Sequence, residues 1–456
     1  MAYLVVPHEV SASTATIWVG AIDERFDQDQ LRLASNLGEH TLPPTWEHWV
    51  SQEGTHRLDY QRVPITGLQP RTTLMVQLLV NGQPQADARL TTLPPRLPTL
   101  EEKPFTVLLG SCFCKREDAE GAVGRTYAQL PGGSRPDVKI LCGDQVYLDD
   151  PWAHYLCHTH DIAELETEFF RNYRDTWVQE PGFRQFLTHG ANYFSPDDHE
   201  YWNNAPNAAT VIRDSWSSDG RQQWFNTARQ FCQMFQNPAA ITTFAVSPLS
   251  FLTADTRSNR RPDQTDFMLQ TDLQAVAQWI QNLPGPGVLV VGQPVFSGKT
   301  GRLSGTFGDW NLPDYDQYGQ LARLLAQSPH SIVILSGDVH YGRIAWCTLT
   351  SGRELIEVIS SPMSLVDKKA EGSWEEAPSL FPPFALPGAT MPGVVRARVH
   401  TLEKETFSPI DSHFLTLEFS ATGAQVRMTV RLWPVGRQRS SPSGGFGETV
   451  YQRFLQ

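Results

Sequence analysis

Long apolar runs are missing from this 456-residue chain, and no stretch is long enough to cross a bilayer as a helix. A helical membrane protein is excluded. Basic blocks are missing too: 37 Lys and Arg stand against 49 Asp and Glu, and the net charge of −12 is spread along the sequence. Such a polyanion is repelled by nucleic-acid backbones and anionic lipid surfaces, so neither a duplex nor a membrane is an expected partner. Cysteine is scarce, six residues in all, and no spacing among them gives a paired CxxC pattern. This excludes a disulfide framework and a ribbon-type zinc site and leaves the thiols as reduced core residues. The opening MAYLVVPHEV has neither the basic nor the long apolar region of a secretory signal, so the expectation is a cytoplasmic enzyme acting on small substrates. Internal repeats are absent, and nothing in the sequence specifies an oligomeric state.

What is present divides into two patterns. A content of 40% hydrophobic residues supports a sizeable core, and the length calls for two domains. Residues 1–98 alternate short strand-like runs with turn residues, at Ala15 to Val19, Leu31 to Leu33, Val63 to Ile65, Leu74 to Leu79 and Ala88 to Leu93. They read as an all-β sandwich of fibronectin or immunoglobulin type. Pro94, Pro95 and Pro98 mark the linker. Over residues 99–456, apolar strands alternate with helical periodicity, the signature of an α/β layer structure. Its strands are VLLG, VKIL, FLTA, VLVV and IVIL. Two stripes, Ile162, Leu165, Phe169 and Tyr173, then Leu273, Val276, Ile280 and Leu283, have the spacing of buried helix faces. Near the end, HFLTLEFSATGAQVRMTVRLW predicts a hairpin turning at Gly423.

Ligands of α/β sheets bind beyond the carboxyl ends of the strands, so the residues just after each apolar run carry the most information. VLLG is followed by Ser111 and Cys112, KILC by GDQVY, ANYFSP by DDHE, FLTA by DTR, and IVILS by GDVH. Singly, each has an ordinary explanation, such as a Gly-Asp turn or a small core thiol. The acidic run Asp197, Asp198 and Glu200 around His199 is different, because packed carboxylates repel one another unless solvated or bound to a cation. Tyr201 and Trp202 directly after it argue for partial burial. Convergence of these clusters implies a metal site centred on Asp144 and the Asp197 to Glu200 run.

The elements GSC, GDQVYLDD, DDHEYWNN, DTR and SGDVHYG, in this order, resemble the alkaline phosphatase D (PhoD-like) family of the calcineurin-like metallophosphoesterase superfamily. Segments 278–280 and 313–315 and the leading β-sandwich fit the same pattern. The resemblance implies an α/β (α+β) fold, a metallophosphoesterase β-sandwich core flanked by helices. It implies Cys112, Asp144 and Tyr147 as ligands of an iron-type site, Asp144 bridging to a second metal, Asp198 in the second metal's shell, and Asp338 and His340 completing the set. Thiolate and phenolate ligands favour Fe(III) over an alkaline-earth ion, with calcium or another divalent cation beside it. It further implies hydrolysis of a small phosphomonoester or phosphodiester by a metal-activated hydroxide, with His199 as general acid. Arg257 is expected either to hold a phosphate oxygen or to form a salt bridge near the sheet edge, and Asn203 and Asn204 either to contact substrate or to orient and cap the motif.

Two other patterns are set aside. VLVVGQPVFSGKT has five residues between Gly292 and Gly298 where a P-loop has four. Lys299 and Arg302 there are expected on a loop over the site. The 13 tryptophans suggest a glycosidase using paired carboxylates such as Asp198 and Glu200. On that count Trp152, Trp202 and Trp310 are the expected pocket residues. A catalytically silent binding protein on the same fold is the remaining alternative.

Overall fold

The computed structural model describes residues 2–24, 31–40, 42, 45–149, 161–209, 212–300, 309–364, 394–401 (backbone), 411–436 and 446–456. Among these residues, eight strands form the leading sandwich: β1 (Ala2–Val10), β2 (Ala15–Ile22), β3 (Leu31–Ser35), β4 (Gly38–His40), β5 (Glu47–Val50), β6 (Arg57–Ile65), β7 (Thr73–Val80) and β8 (Gln83–Thr91). They make two antiparallel sheets, ordered β1-β2-β6-β5 and β4-β3-β7-β8. The period of two is plain in β7, where Leu74, Val76 and Leu78 are buried while Met75 and Gln77 face water.

The second pair of sheets is larger. Its strands are β9 (Phe105–Gly110), β10 (Val138–Cys142), β11 (Ala191–Ser195), β12 (Ile241–Val246), β13 (Leu249–Ala254), β14 (Gly287–Val290), β15 (Ile332–Ser336), β16 (Arg343–Leu349), β17 (Glu354–Ile359), β18 (Val394–Thr401), β19 (His413–Thr422), β20 (Gln425–Pro434) and β21 (Glu448–Leu455). One sheet runs β11-β10-β9-β19-β20-β21 and the other β12-β13-β14-β15-β17-β16-β18. Strands β9, β10 and β11 are mutually parallel, as are β13, β14, β15 and β17. Being covered on both faces, they are buried almost throughout rather than alternating, with a few polar residues such as Lys139, Asn192 and Glu357 enclosed among the apolar ones. The facing sides meet through Val107, Leu109 and Ile140 against Val288, Val290 and Val333.

Helices cover both outer faces. Over the first sheet lie α1 (Ala122–Ala128), α2 (Ile162–Trp177), α3 (Phe183–Thr188) and α4 (Ser218–Phe235); over the second lie α5 (Gln270–Gln281) and α6 (Tyr318–Ala326). The side chain of Asp161 caps α2 by accepting from the Ala163 N–H at 2.9 Å. Both expected stripes are inward except Ile162, which lies in the first turn of α2 and is 40% exposed. The terminal hairpin forms with Gly423 in its turn at φ 57°.

The leading sandwich is seated firmly. Leu4, Val6 and Trp18 share an apolar cluster with Trp177 and Phe235, and the Tyr193 hydroxyl donates to the Val10 carbonyl (2.6 Å) and accepts from its N–H (3.1 Å). No described helix is long and apolar enough to cross a membrane.

Candidate metal centre

The parallel strands of the two sheets end on one side of the molecule, and close backbone approach brings those ends together. At Gly337, after β15, an added Cβ would sit 2.6 Å from the Cys142 carbonyl oxygen at the end of β10. At Gly143 it would meet the Asp197 Cβ at 2.3 Å, and the backbone there has φ 82°. Only glycine fits either position.

Next to these glycines the backbone is strained. Cys112, Asp144, Asp338 and His340 all adopt left-handed conformations, with φ of 55°, 56°, 71° and 55°. For residues with a Cβ each such conformation costs about 1 kcal/mol or more, and surrounding bonds must hold it. At Asp144 that hold comes from Glu200. One of its carboxylate oxygens accepts from the N–H groups of Asp144 (2.8 Å) and Asp197 (2.9 Å). The other accepts from the Gln145 N–H (2.7 Å) and the Gln236 amide (3.2 Å).

Side-chain donors then cluster in three overlapping groups, in each of which the ligand atoms lie within 4.8 Å of one another: Cys112, Asp144 and His340; Asp144, Asp198 and His199; Asp144, Asp197, Asp198 and Asp338. Asp144 belongs to all three. The Cys112 thiol is 3.3 Å from an Asp144 carboxylate oxygen and accepts from the Ser361 hydroxyl at 3.1 Å. Tyr147 lies against His199 with ring centroids 4.0 Å apart.

This donor set fits cations. The Tyr147 hydroxyl, Asp197 Oδ2, Asp198 Oδ1 and the Gln145 side-chain oxygen are buried without a hydrogen-bond partner among the described residues, a costly state for polar atoms. Burial, then the charges of Asp198, Asp197, Glu200 and Asp338, holds the Asp144 carboxyl well above the usual carboxylate range. Burial followed by Asp144 and Asp338 does the same to the Cys112 thiol. Burial followed by Cys112 and Asp144 raises the Tyr147 phenol. Negative charge this dense requires protons or positive ions, and ions would give the orphaned oxygens their partners.

His199 stands apart from its acidic neighbours in having a dedicated one. Its Nδ1 is 2.8 Å from Asp149. Burial disfavours the charged ring, but Asp149 and Asp198 outweigh it and raise the imidazolium to about 10. The second Asp149 oxygen accepts from the Asn203 N–H at 2.9 Å.

Several expectations change. Arg257 does not offer its fork to a ligand: Nε donates to Asp197 (2.5 Å), Nη1 to Asp309 (2.8 Å) and to Ala205 O (2.7 Å), and Nη2 to Asp309 (2.9 Å). It is 2% exposed, and the guanidinium braces the acidic loop. The Asn203 N–H donates to Asp149, and the Asn204 N–H donates to Asp198 at 2.5 Å from a backbone with φ 68°, so both asparagines orient the acidic loop. Trp202 is core, its indole N–H bonded to the Asn207 carbonyl at 2.8 Å. Trp310 is half-buried and packs edge-on against Tyr315. Lys299 is exposed; Arg302 and Trp152 lie outside the described residues.

The structure also adds residues. Asp149, inside GDQVYLDD, orients His199. Glu200 clamps the loops. Gln293, after β14, donates to Asp338 at 2.9 Å and accepts from Arg260 at 2.5 Å. Asp309 collects Arg257 and Arg260. Only the placement of Gln293 just after an apolar strand gave a sequence signal for these two.

No protein-family model and no curated protein matches this chain. A solved structure described as "Structure of PhoD" matches over 97% of this chain and 93% of its own, with a TM-score of 0.59 and 12% identity. At that identity the likeness is one of fold.

Proposed function

We propose that this chain, which shares the fold of PhoD along nearly its whole length, is a metal-dependent hydrolase of phosphate esters. The observation that carries the reading is Asp144, a buried carboxylate common to three donor groups and flanked by oxygens that have no partner among the described residues. That is what a bridging ligand between two cations requires. Cys112, Tyr147 and His340 would hold one ion with Asp144. Asp198 and Asp338 would hold the second. The soft thiolate and phenolate favour iron at the first position, with calcium or another divalent ion at the second. Bound there, the cations supply a nucleophile from water at neutral pH and offset the charge of the phosphate.

The protein's own part centres on His199. Its imidazolium, held charged by Asp149, donates a proton to the departing alkoxide oxygen, and the Asp149 carboxylate fixes which ring nitrogen is free to do so. Glu200 and Arg257 keep the carboxylates at their spacing. The paired-carboxylate glycosidase loses support here, since both oxygens of Glu200 already accept backbone and amide N–H groups.

The test is metal analysis of the purified protein together with hydrolysis of p-nitrophenyl phosphate and bis(p-nitrophenyl) phosphate, with and without a strong chelator. Bound metal and chelator-sensitive release of nitrophenol are expected. Chelator-insensitive turnover, or no turnover after metals are restored, refutes the reading.

A further inference from the structure

At the opposite end of β9, β10 and β11 from the donor cluster, the two sandwiches leave a cleft of about 760 Å³ between them. Lys103 before β9, Asp137 before β10 and His189 before β11 form one wall, and Arg71 and Arg89 of the leading sandwich face them. Cys112, Asp144 and Asp198 follow those same strands. A strand of five or six residues, roughly 16 Å, therefore lies between the cleft and the metal centre, too far for one small molecule's reacting group to reach both.

The walls are tied together. The Gly190 N–H donates to the Arg89 carbonyl at 2.6 Å, in a bridge that sets Arg89 beside His189. The Tyr127 hydroxyl donates to the His189 carbonyl at 2.7 Å.

Charge is what distinguishes the cleft. In a chain of net charge −12, it gathers Arg71, Arg89, Lys103 and Arg135 against Glu102 and Asp137. Arg71 is neutralised by Glu102 at 3.0 Å and Lys103 by Asp137 at 3.3 Å. Arg89 has no ion pair among the described residues, and the Arg135 guanidinium makes one long bond, 3.5 Å, to the Ala128 carbonyl. Arg89, Arg135 and Tyr127 all line the cleft, and burial pushes the Tyr127 hydroxyl up while the charges of Arg135 and Arg89 pull against it. Phe105 and Pro98 add apolar wall.

We propose that this cleft is a second binding site, for a small molecule carrying a phosphate or phosphonate dianion that Arg89 and Arg135 grip, with its organic body against the apolar wall. The volume suits such a ligand, and planar guanidinium forks suit tetrahedral oxyanions. The proposal stands independently of the metal reading.

Phenylphosphonate is the probe, because its dianion and ring match the two walls and its C–P bond survives a phosphoesterase. Calorimetric titrations compare the metal-loaded wild type with Asp144→Asn, with the double variant Arg89→Ala, Arg135→Ala, and with Gly132→Trp. Gly132 lines the cleft, and a Cβ there meets nothing within 4 Å, so a bulky side chain can start from this position into the cleft without displacing backbone. The expected result is a binding event that survives Asp144→Asn, weakens with salt, and falls by about tenfold or more in both cleft variants, through lost charge-assisted hydrogen bonds in the double arginine variant and through occupied volume in Gly132→Trp. Their hydrolysis of p-nitrophenyl phosphate stays at the wild-type rate. Isotherms that coincide for the wild type and both cleft variants, or binding that vanishes with Asp144→Asn, overturn the proposal. A protein that binds in the expected way yet hydrolyses nothing refutes the catalytic reading and supports the cleft.

Discussion

Replacing Glu200 by glutamine tests whether the left-handed turn at Asp144 is held by a carboxylate or merely sits beside one. The substitution keeps size and shape but turns one acceptor oxygen into an NH₂ group. If it faces Gln145, the 2.7 Å bond from that N–H is lost and two donors oppose each other, while the 3.2 Å bond with Gln236 survives in reverse once that amide turns its oxygen inward. The remaining oxygen still meets the N–H groups of Asp144 and Asp197, but without its charge. Losing one charge-assisted bond costs about 1.5–3 kcal/mol, and weakening two others brings the total to roughly 3–4 kcal/mol. Because Asp144 sits on the strained turn, part of that loss falls on cation affinity rather than on global stability. Urea unfolding of the metal-free protein and a metal titration read the two parts separately. Both are expected to weaken, while the pH profile of residual turnover keeps its shape, since Glu200 moves no proton. The reasoning is refuted if Glu200→Gln binds metal and unfolds like the wild type yet loses a limb of its pH profile.

Three further outcomes follow from the geometry. Asp149→Asn removes the main charge that raises His199 to about 10, so the high-pH limb of kcat should move to lower pH and kcat for alkyl phosphates should fall about 10²-fold or more; an unmoved limb contradicts the His199 assignment. Burial holds the imidazoles of His8 and His413 down at about 3 and about 4, so both stay neutral in the fold while the unfolded chain takes up protons below pH 6.5. Their stabilisation is therefore full above pH 6.5 and lost as pH falls toward those values, roughly 3 kcal/mol each by pH 4, which urea midpoints of wild type and His8→Gln across pH 4–7 would check. Asp144→Asn should abolish turnover by weakening both cations, whereas Cys112→Ser should first change which metal is retained, as read by elemental analysis; equal, mild effects would count against a bridging Asp144.

The strand ends were legible because fully buried parallel strands read as unbroken apolar runs, and whatever chemistry they serve begins at the next residue. That rule located Cys112, Asp144, the Asp197 to Glu200 run and Asp338, and the structure gathers them. It could not assign partners. Arg257 looked available because its neutralising carboxylate, Asp309, is 52 residues away, and Asp149 meets His199 across 50 residues. Trp202 looked like a pocket wall because adjacency to an acidic run says nothing about which way an indole turns. In the leading sandwich, β1 and β5 gave no clear alternation. Six of the nine β1 residues are buried, since it packs on both its own sheet and β11, whereas β5 buries only Trp49.

One feature of the six-stranded sheet bears on how the protein comes into being. Strand β9, at residues 105–110, has β10 on one side and β19, at residues 413–422, on the other. During synthesis the three strands that carry Cys112, Asp144 and Asp198 therefore leave the ribosome long before the strand that completes their sheet. Until then β9 presents an unpaired apolar edge, the kind of surface that invites pairing with other chains. So distant a closure makes for slow folding. A nascent chain stalled before residue 413 should depend on a chaperone, and the fixed spacing of the donor cluster proposed to hold metal should arrive only with the β19–β20 hairpin.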